Sequence, residues 1–309
     1  MLAAPPHLIA SIVIPTHNST HYIEKTILSI IRSITNLTLE IILIDDASTD
    51  IEKLKLIAKK YKAVTLIEKK AKSNAADSRN IGLIASSGGY VFFLDSDDSY
   101  TEKHIQQRVN LHNSTNAGFI FGRYIERNEG VDTEKMTPEY ISNDIRDYIF
   151  SSEGDVRSST ISICKQNYKN TTFDAAQYKH QDWGYAIRAY DQGEKILFDE
   201  SFSVIIDNTQ NTSRMSSKMN VSASEYFLKR YISNPEHILS FARAHLKLSI
   251  MSKDKKGLEL LRNVLIPTLK KLPTHTKIKV VILCTATFPT FRDLARLLFI
   301  LKTKLRTHP

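Results

Sequence analysis

Three carboxylates fall within four residues at Asp95-Ser96-Asp97-Asp98, just after the apolar run Tyr90-Val91-Phe92-Phe93. Like charges crowded at the end of a strand repel, so the cluster faces a cation or a polar ligand unless it is a solvated turn capping the next helix. A second apolar run, residues 40–44, also stops in carboxylates, Asp45-Asp46, followed by Ala47-Ser48-Thr49-Asp50. A third, residues 9–14, closes in Pro15-Thr16-His17-Asn18, groups able to hydrogen-bond a ligand. Three strands thus deliver polar tips, and the carboxyl ends of strands are where open α/β sheets bind ligands.

The elements that position these tips follow from periodicity. Strand and helix signals alternate through the first half, which predicts a mostly parallel sheet with crossover helices. Ser19 is placed to cap a helix whose Ile23, Ile27, Ile30, Ile31 and Ile34 recur at helical spacing. Asp50 is placed to cap a second, with Leu54, Ile57 and Ala58 inward, ahead of a strand over 63–67. A third helix, residues 75–85, ends at Ser86-Ser87-Gly88-Gly89 and feeds the strand that carries the Asp95 cluster. Further on, residues 101–112 read as a helix, 117–125 as a strand, 126–136 as a polar mobile loop and 157–164 as another strand. A helix over 177–190 places Trp183, Ala186, Ile187 and Tyr190 on one face, with short strands at 195–198 and 202–206 behind it. From about Ser222 the chain reads as helical, punctuated by Pro235, Pro267, Pro273 and Pro289.

Four stretches taken in order resemble the signature of family 2 glycosyltransferases with the GT-A fold. They are residues 11–18, 44–50, 76–82 (Ala76-Asp77-Ser78-Arg79-Asn80-Ile81-Gly82) and 93–98. The resemblance covers about residues 9–215. It implies an α/β fold with a doubly wound, mostly parallel sheet flanked by helices, here with a C-terminal helical appendage. It also implies an inverting transfer of sugar from a nucleotide-sugar, of UDP type, to a glycan or lipid-linked glycan acceptor in bacterial surface-polysaccharide assembly. Hard cations such as Mn2+ or Mg2+ prefer carboxylate and phosphate oxygens, and by resemblance Asp97 or Asp98 binds the metal directly while Asp95, beside Ser96, holds the ribose or a metal-bound water. Asp46, with Asp45 alongside, resembles the acid that contacts the nucleobase, since a carboxylate accepts the imide N–H of uracil or thymine. Pro15, Thr16 and Asn18 resemble the first nucleotide-binding loop. Arg79 either contacts the nucleotide or pairs with Asp77.

The general base is expected at Asp182. The family's acidic pair before an aromatic is reduced here to Gln181-Asp182-Trp183, which keeps the second acid; the bland alternative is a first-turn acid favoured by the helix dipole. Many relatives complete the metal shell with a downstream His. The matching stretch, residues 207–215, has none, and Asp207 is the available substitute. A nucleotidyltransferase would also pair a parallel sheet with acidic ligands, but it would carry a glycine-rich phosphate loop that Pro15-Thr16-His17-Asn18-Ser19 is not. The remaining rival is a catalytically inactive membrane scaffold of the same fold, against which the intact acid cluster and Asp182 argue.

Composition sets the outer frame. With 42% hydrophobic and 24% charged residues in 309, the chain suits one main domain and an appendage. The catalytic region is expected over 1–220, its nucleotide-sugar half at 1–115 and its acceptor half at 116–220. The net charge of +9 is uneven: residues 251–309 hold 13 Lys/Arg against three Asp/Glu, or +10, which leaves −1 for the rest. A near-neutral body argues against a nucleic-acid partner. Residues 221–309 read as a basic, amphipathic helical region, and the apolar run over 280–288 falls short of the roughly 20 residues that cross a bilayer. That reading predicts a cytoplasmic protein held peripherally at the inner face of the cell membrane, the alternative being a helical cap on the catalytic domain with its charges in water. The start has no basic and apolar leader pattern. Cys164 and Cys284 have no metal-ligand spacing and read as core residues.

Overall fold

The structure is a computed structural model that describes residues 8–141, 144–209, 220–273, 277–278, 281, 284–285 and 287–288. It divides into two compact units, residues 1–145 with 153–210, and residues 146–152 with 211–309.

In the first unit, β1 (Ile9–Thr16), β2 (Thr38–Asp45), β3 (Val64–Glu68) and β4 (Tyr90–Phe93) are the parallel strands that the alternation predicts. Crossovers α1 (Ile23–Ile31), α2 (Ile51–Lys59) and α3 (Ala75–Ala85) connect them. After β5 (Ser99–Tyr100) and α4 (His104–Thr115), the chain continues through β6 (Phe119–Gly122), β7 (Tyr124–Asn128), β8 (Val131–Lys135), β9 (Ser162–Cys164), α5 (Gln181–Asp191), β10 (Ile196–Asp199) and β11 (Val204–Asp207). The main sheet has seven strands in the order β10-β6-β9-β4-β1-β2-β3, with β9 antiparallel to both neighbours. A second sheet of four strands runs β5-β11-β7-β8.

β1 and β4 lie at the centre of the main sheet, and Ile12, Ile14, Phe92 and Leu94 are fully buried with Ile23, Ile27 and Ile30 of α1 in one core. Burial on both faces explains why these strands read as continuous apolar runs. The register pairs Thr16 with Asp45 and Val13 with Phe93, so the polar tips of β1, β2 and β4 end at one edge of the sheet.

α3 packs close against β1 because Gly82 has no side chain. A Cβ there would stand 2.2 Å from Cγ1 of Val13. Gly82→Ala is therefore expected to destabilise by about 1–3 kcal/mol through overpacking, lowering the melting temperature by several degrees; an unchanged melting temperature would show that Val13 yields without cost.

Several expectations are corrected. α1 ends at Ile31, so Ile34 lies beyond it and is exposed, and the first turn is not capped by Ser19. Asp50 occupies the cap position of α2 but makes no cap hydrogen bond; its Oδ2 accepts from the amide and hydroxyl of Thr20 instead. The strand expected over 117–125 is two strands in different sheets, β6 and β7, broken at Arg123. The segment 126–136 is not a loop but the β7–β8 hairpin, turning at Glu129 and Gly130 with φ of 50° and 83°. Residues of β8 are all exposed, so no apolar alternation announced the strand. The strand expected over 157–164 opens instead as a 3-10 turn, Ser158–Thr160, before β9. In α5 the buried face is Gly184, Tyr185, Ala186, Ile187 and Ala189, whereas Trp183 and Tyr190 are only half-buried.

The second unit contains a π-helical turn, Asp147–Ser151, with α6 (Val221–Tyr231), α7 (Pro235–Met251) and α8 (Lys255–Thr268). Asn220, Asn234 and Asp254 cap the three helices through their side chains. Leu239, Ala242, Leu246 and Ile250 of α7 form its core with Leu258, Leu261 and Leu265 of α8. No helix among the described residues is long and apolar enough to cross a membrane. The amphipathic pair expected over 280–301 lies largely outside the described residues.

Candidate active site

The β1 and β2 tips are cross-tied before any ligand is considered. Asp46 N–H donates to the Thr16 carbonyl at 2.8 Å, and Thr16 Oγ1 donates to the Ile44 carbonyl at 3.2 Å. Asn18 accepts from the amide and hydroxyl of Thr49 at 2.8 and 3.0 Å. Pro15 is paired in register with Ile44. Asp45 is buried, and its carboxylate accepts both the amide and the hydroxyl of Ser48, an arrangement that holds Ala47 in the left-handed region at φ 56°. Asp45 and Asn18 therefore shape the loop. Asp46 differs: its Oδ1 takes Lys69 Nζ and the Ser73 amide, each at 2.8 Å.

The acid cluster after β4 is held from three sides. Thr26 of α1 donates to the carbonyls of Ser96 and Asp98, each at 2.8 Å. Ser159, in the 3-10 turn, accepts from the Asp95 amide at 3.1 Å and donates to Asp98 Oδ2 at 2.5 Å. Asp98 Oδ1 accepts from the Asp207 amide at 3.1 Å. Burial first, then the charges of Asp97 and Asp95, push the Asp98 carboxyl well above the usual carboxylate range. Asp207 itself pairs with Lys25 at 2.7 Å. Its burial opposes ionisation, but Lys25 and Thr209 outweigh that and bring it down to about 2.

Arg79 has partners other than the one the sequence offered. It does not pair with Asp77; it reaches Asp95 Oδ1 at 2.5 Å and Gln181 Oε1 at 3.0 Å, and its guanidinium lies 5.3 Å from the Phe173 ring centroid. The helix that carries Arg79 also holds the segment leading into α5. Asn80 exchanges hydrogen bonds with the backbone of Phe173, both at 2.9 Å, and Asn74 donates to the Ala175 carbonyl at 2.8 Å. Thus α3 brackets the acid cluster and the N-terminus of α5 together. Asp182 stands in the first turn of α5, where enclosure of its carboxyl, against the pull of Arg157 and Arg79, raises it to about 6.

Sequence reasoning missed Lys69, Ser159 and Lys25. Lys69 lies in a charge run, Lys69-Lys70-Ala71-Lys72, that reads as a solvated face. Ser159 sits in what reads as a strand, and Lys25 meets Asp207 across 182 positions of sequence. Gln181, where the family's first acid is replaced, is the partner that Arg79 requires. Among the described residues no group of three or more His, Cys, Asp or Glu side chains comes together as a ready-made metal shell.

The sequence model of Glycosyl transferase family 2 matches residues 11–170, just over half of the chain and all four motif stretches. The chain belongs to this family. Over 198 residues it is 28% identical to the amylovoran biosynthesis glycosyltransferase AmsB of Erwinia amylovora, a match that covers 60% of this chain and 65% of AmsB. It is 35% identical over 128 residues to the poly(ribitol-phosphate) beta-N-acetylglucosaminyltransferase TarP of Staphylococcus aureus, covering 40% of this chain and 39% of TarP. With the UDP-Glc:alpha-D-GlcNAc-diphosphoundecaprenol beta-1,3-glucosyltransferase WfgD of Escherichia coli it shares 27% identity over 135 residues, 43% of this chain and 53% of WfgD. The chain thus spans less than two thirds of each of these relatives. Among solved structures, S. aureus TarS in complex with UDP-GlcNAc superposes with a TM-score of 0.64 at 14% identity, covering 94% of this chain and 91% of that one. The mannosyltransferase PcManGT of Pyrobaculum calidifontis, in complex with GDP-Man and Mn2+, gives 0.55 at 14% identity over 99% and 89% of the two chains. These likenesses establish the glycosyltransferase GT-A fold.

Proposed function

We propose that this chain is an inverting, metal-dependent glycosyltransferase that moves a sugar from a UDP-type nucleotide-sugar to a glycan or lipid-linked glycan acceptor in bacterial surface-polysaccharide assembly. The observation that carries this reading is Arg79, whose two terminal nitrogens join Asp95 of the acid cluster to Gln181, the residue before Asp182. One buried guanidinium thereby fixes the separation between the diphosphate end of a donor and the group that activates the acceptor.

The acid cluster fits a hard divalent cation. Burial first, then the charges of Asp97 and Asp95, hold the Asp98 carboxyl above the usual range, a setting that a bound cation would oppose. Asp97 or Asp98 would hold it directly, with Asp95 as the outer oxygen donor and Asp207 joined to Asp98 through its amide. Mn2+ or Mg2+, when bound, would neutralise the departing diphosphate. Asp182 takes the proton of the acceptor hydroxyl as its oxygen attacks the sugar, and a single displacement of this kind inverts the anomeric centre. A carboxyl raised to about 6 is well matched to that task near neutral pH. Residues 1–115 then serve the donor and residues 116–220 the acceptor. The names of WfgD and TarP support a glycan-directed reading.

The +10 charge of residues 251–309 supports docking at the anionic inner face of the membrane, where a lipid-linked acceptor would be reached. Full-length protein should sediment with anionic liposomes at low salt and release at high salt; no sedimentation removes this part of the proposal. The donor is tested by screening UDP-, dTDP- and GDP-sugars for Mn2+-dependent nucleotide release. Release confined to the UDP-sugars supports the reading, and metal-independent release or none from any donor contradicts it.

A further inference from the structure

Asp46 is more than nine-tenths buried, and its two oxygens are not equivalent. Oδ1 accepts from Lys69 Nζ and from the Ser73 amide, each at 2.8 Å, while Oδ2 accepts no hydrogen bond among the described residues. Lys69 is itself enclosed and fully committed. Its ammonium also pairs with Asp77 at 2.8 Å, contacts Ser73 Oγ and lies 3.3 Å from Ser78 Oγ, so no proton of it is left over for a phosphate. Ser73 closes the ring by donating to Asp77 Oδ2 at 2.8 Å.

Two carboxylates around one ammonium leave a net charge of −1, which suits a neutral N–H donor and disfavours an anionic group. A carboxylate with both oxygens available would take the adjacent N1–H and N2–H of guanine side by side. With Oδ1 already saturated, only one N–H can be satisfied, and guanine would bury the second without a partner. Uracil and thymine offer a single imide N–H. Cytosine offers none there.

We propose that the Lys69–Ser73 clamp on Asp46 makes this carboxylate a single acceptor and thereby selects uracil- or thymine-type donors over guanine-type ones. The inference rests on the reading of Asp46 as the nucleobase contact, and it assigns to Lys69 a specificity role as a positioning residue that touches no substrate atom.

Calorimetry of the full chain with Mn2+, using UDP, GDP and N3-methyl-UDP as probes, tests it. The wild type should bind UDP about 10- to 100-fold more tightly than GDP or N3-methyl-UDP, the range for one hydrogen bond to a charged group. In Lys69→Met, UDP affinity should fall and the UDP-to-GDP ratio should shrink to roughly fivefold or less, because Oδ1 becomes available to a second N–H. A purely structural lysine would weaken both nucleotides alike and leave that ratio unchanged, which would overturn the proposal. Should Lys69→Met fail to fold, the wild-type series decides: N3-methyl-UDP bound as tightly as UDP overturns it. Binding of neither UDP nor GDP by the wild type would instead overturn the nucleotide-sugar reading beneath it.

Discussion

Asp182→Asn should leave the affinity for the donor essentially unchanged while transfer falls by about 100- to 10,000-fold, the span typical of a lost general base. The substitution keeps size and the N-terminal helical position but removes basicity. The pH dependence supplies an independent check. Enclosure of the Asp182 carboxyl raises it to about 6, so it is protonated and inactive below that pH and acts as base above it. The wild-type rate should therefore climb with pH through a limb near 6 and level off above it, and the residual rate of Asp182→Asn should lack that limb. If donor binding fell as far as the rate, Asp182 would be a structural first-turn acid instead.

The second large effect is expected at Asp97. Asp97→Asn removes one of the two carboxylates placed to hold the cation directly, together with a charge that raises the Asp98 carboxyl, so the protein should melt no lower than the wild type while Mn2+ binding is lost. Several kcal/mol of charge stabilisation disappear with the metal, and turnover should fall by roughly three orders of magnitude. Electron paramagnetic resonance of added Mn2+ reads the binding without any turnover. Wild-type Mn2+ affinity in the variant would move the metal away from Asp97.

The parallel half of the sheet was readable because β1, β2 and β4 end in buried apolar runs and α1 and α2 turn apolar residues inward; α3, expected at residues 75–85 and found there, buries Ala76, Ser78, Arg79 and Gly82 and was bounded by Ser86-Ser87-Gly88-Gly89 instead. What escaped was whatever had neither an apolar period nor such a boundary. β8 exposes every side chain and is held by Arg127–Asp132 and Lys135–Glu126 pairs on a hairpin turn, none of which leaves an apolar period. The candidate site divides in the same way. The carboxylate tips announce themselves by type and spacing, whereas their settings depend on long-range partners. Asp98 is fixed by Ser159, 61 positions away, and Arg79 by Gln181, 102 positions away. Lys69 was hidden for a further reason: burial alone distinguishes it from the exposed lysines beside it, and burial is a property of the fold.

In the proposed reaction the acid cluster binds a nucleotide diphosphate through a divalent cation. Thermal unfolding of the full chain, recorded with UDP alone, Mn2+ alone and both together, tests this most directly. Ligand that binds only the folded state raises the melting temperature by mass action. UDP with Mn2+ should stabilise by several degrees, UDP alone by little, and Asp97→Asn should abolish the difference. Equal stabilisation by UDP with and without Mn2+, or none in either condition, would contradict the account.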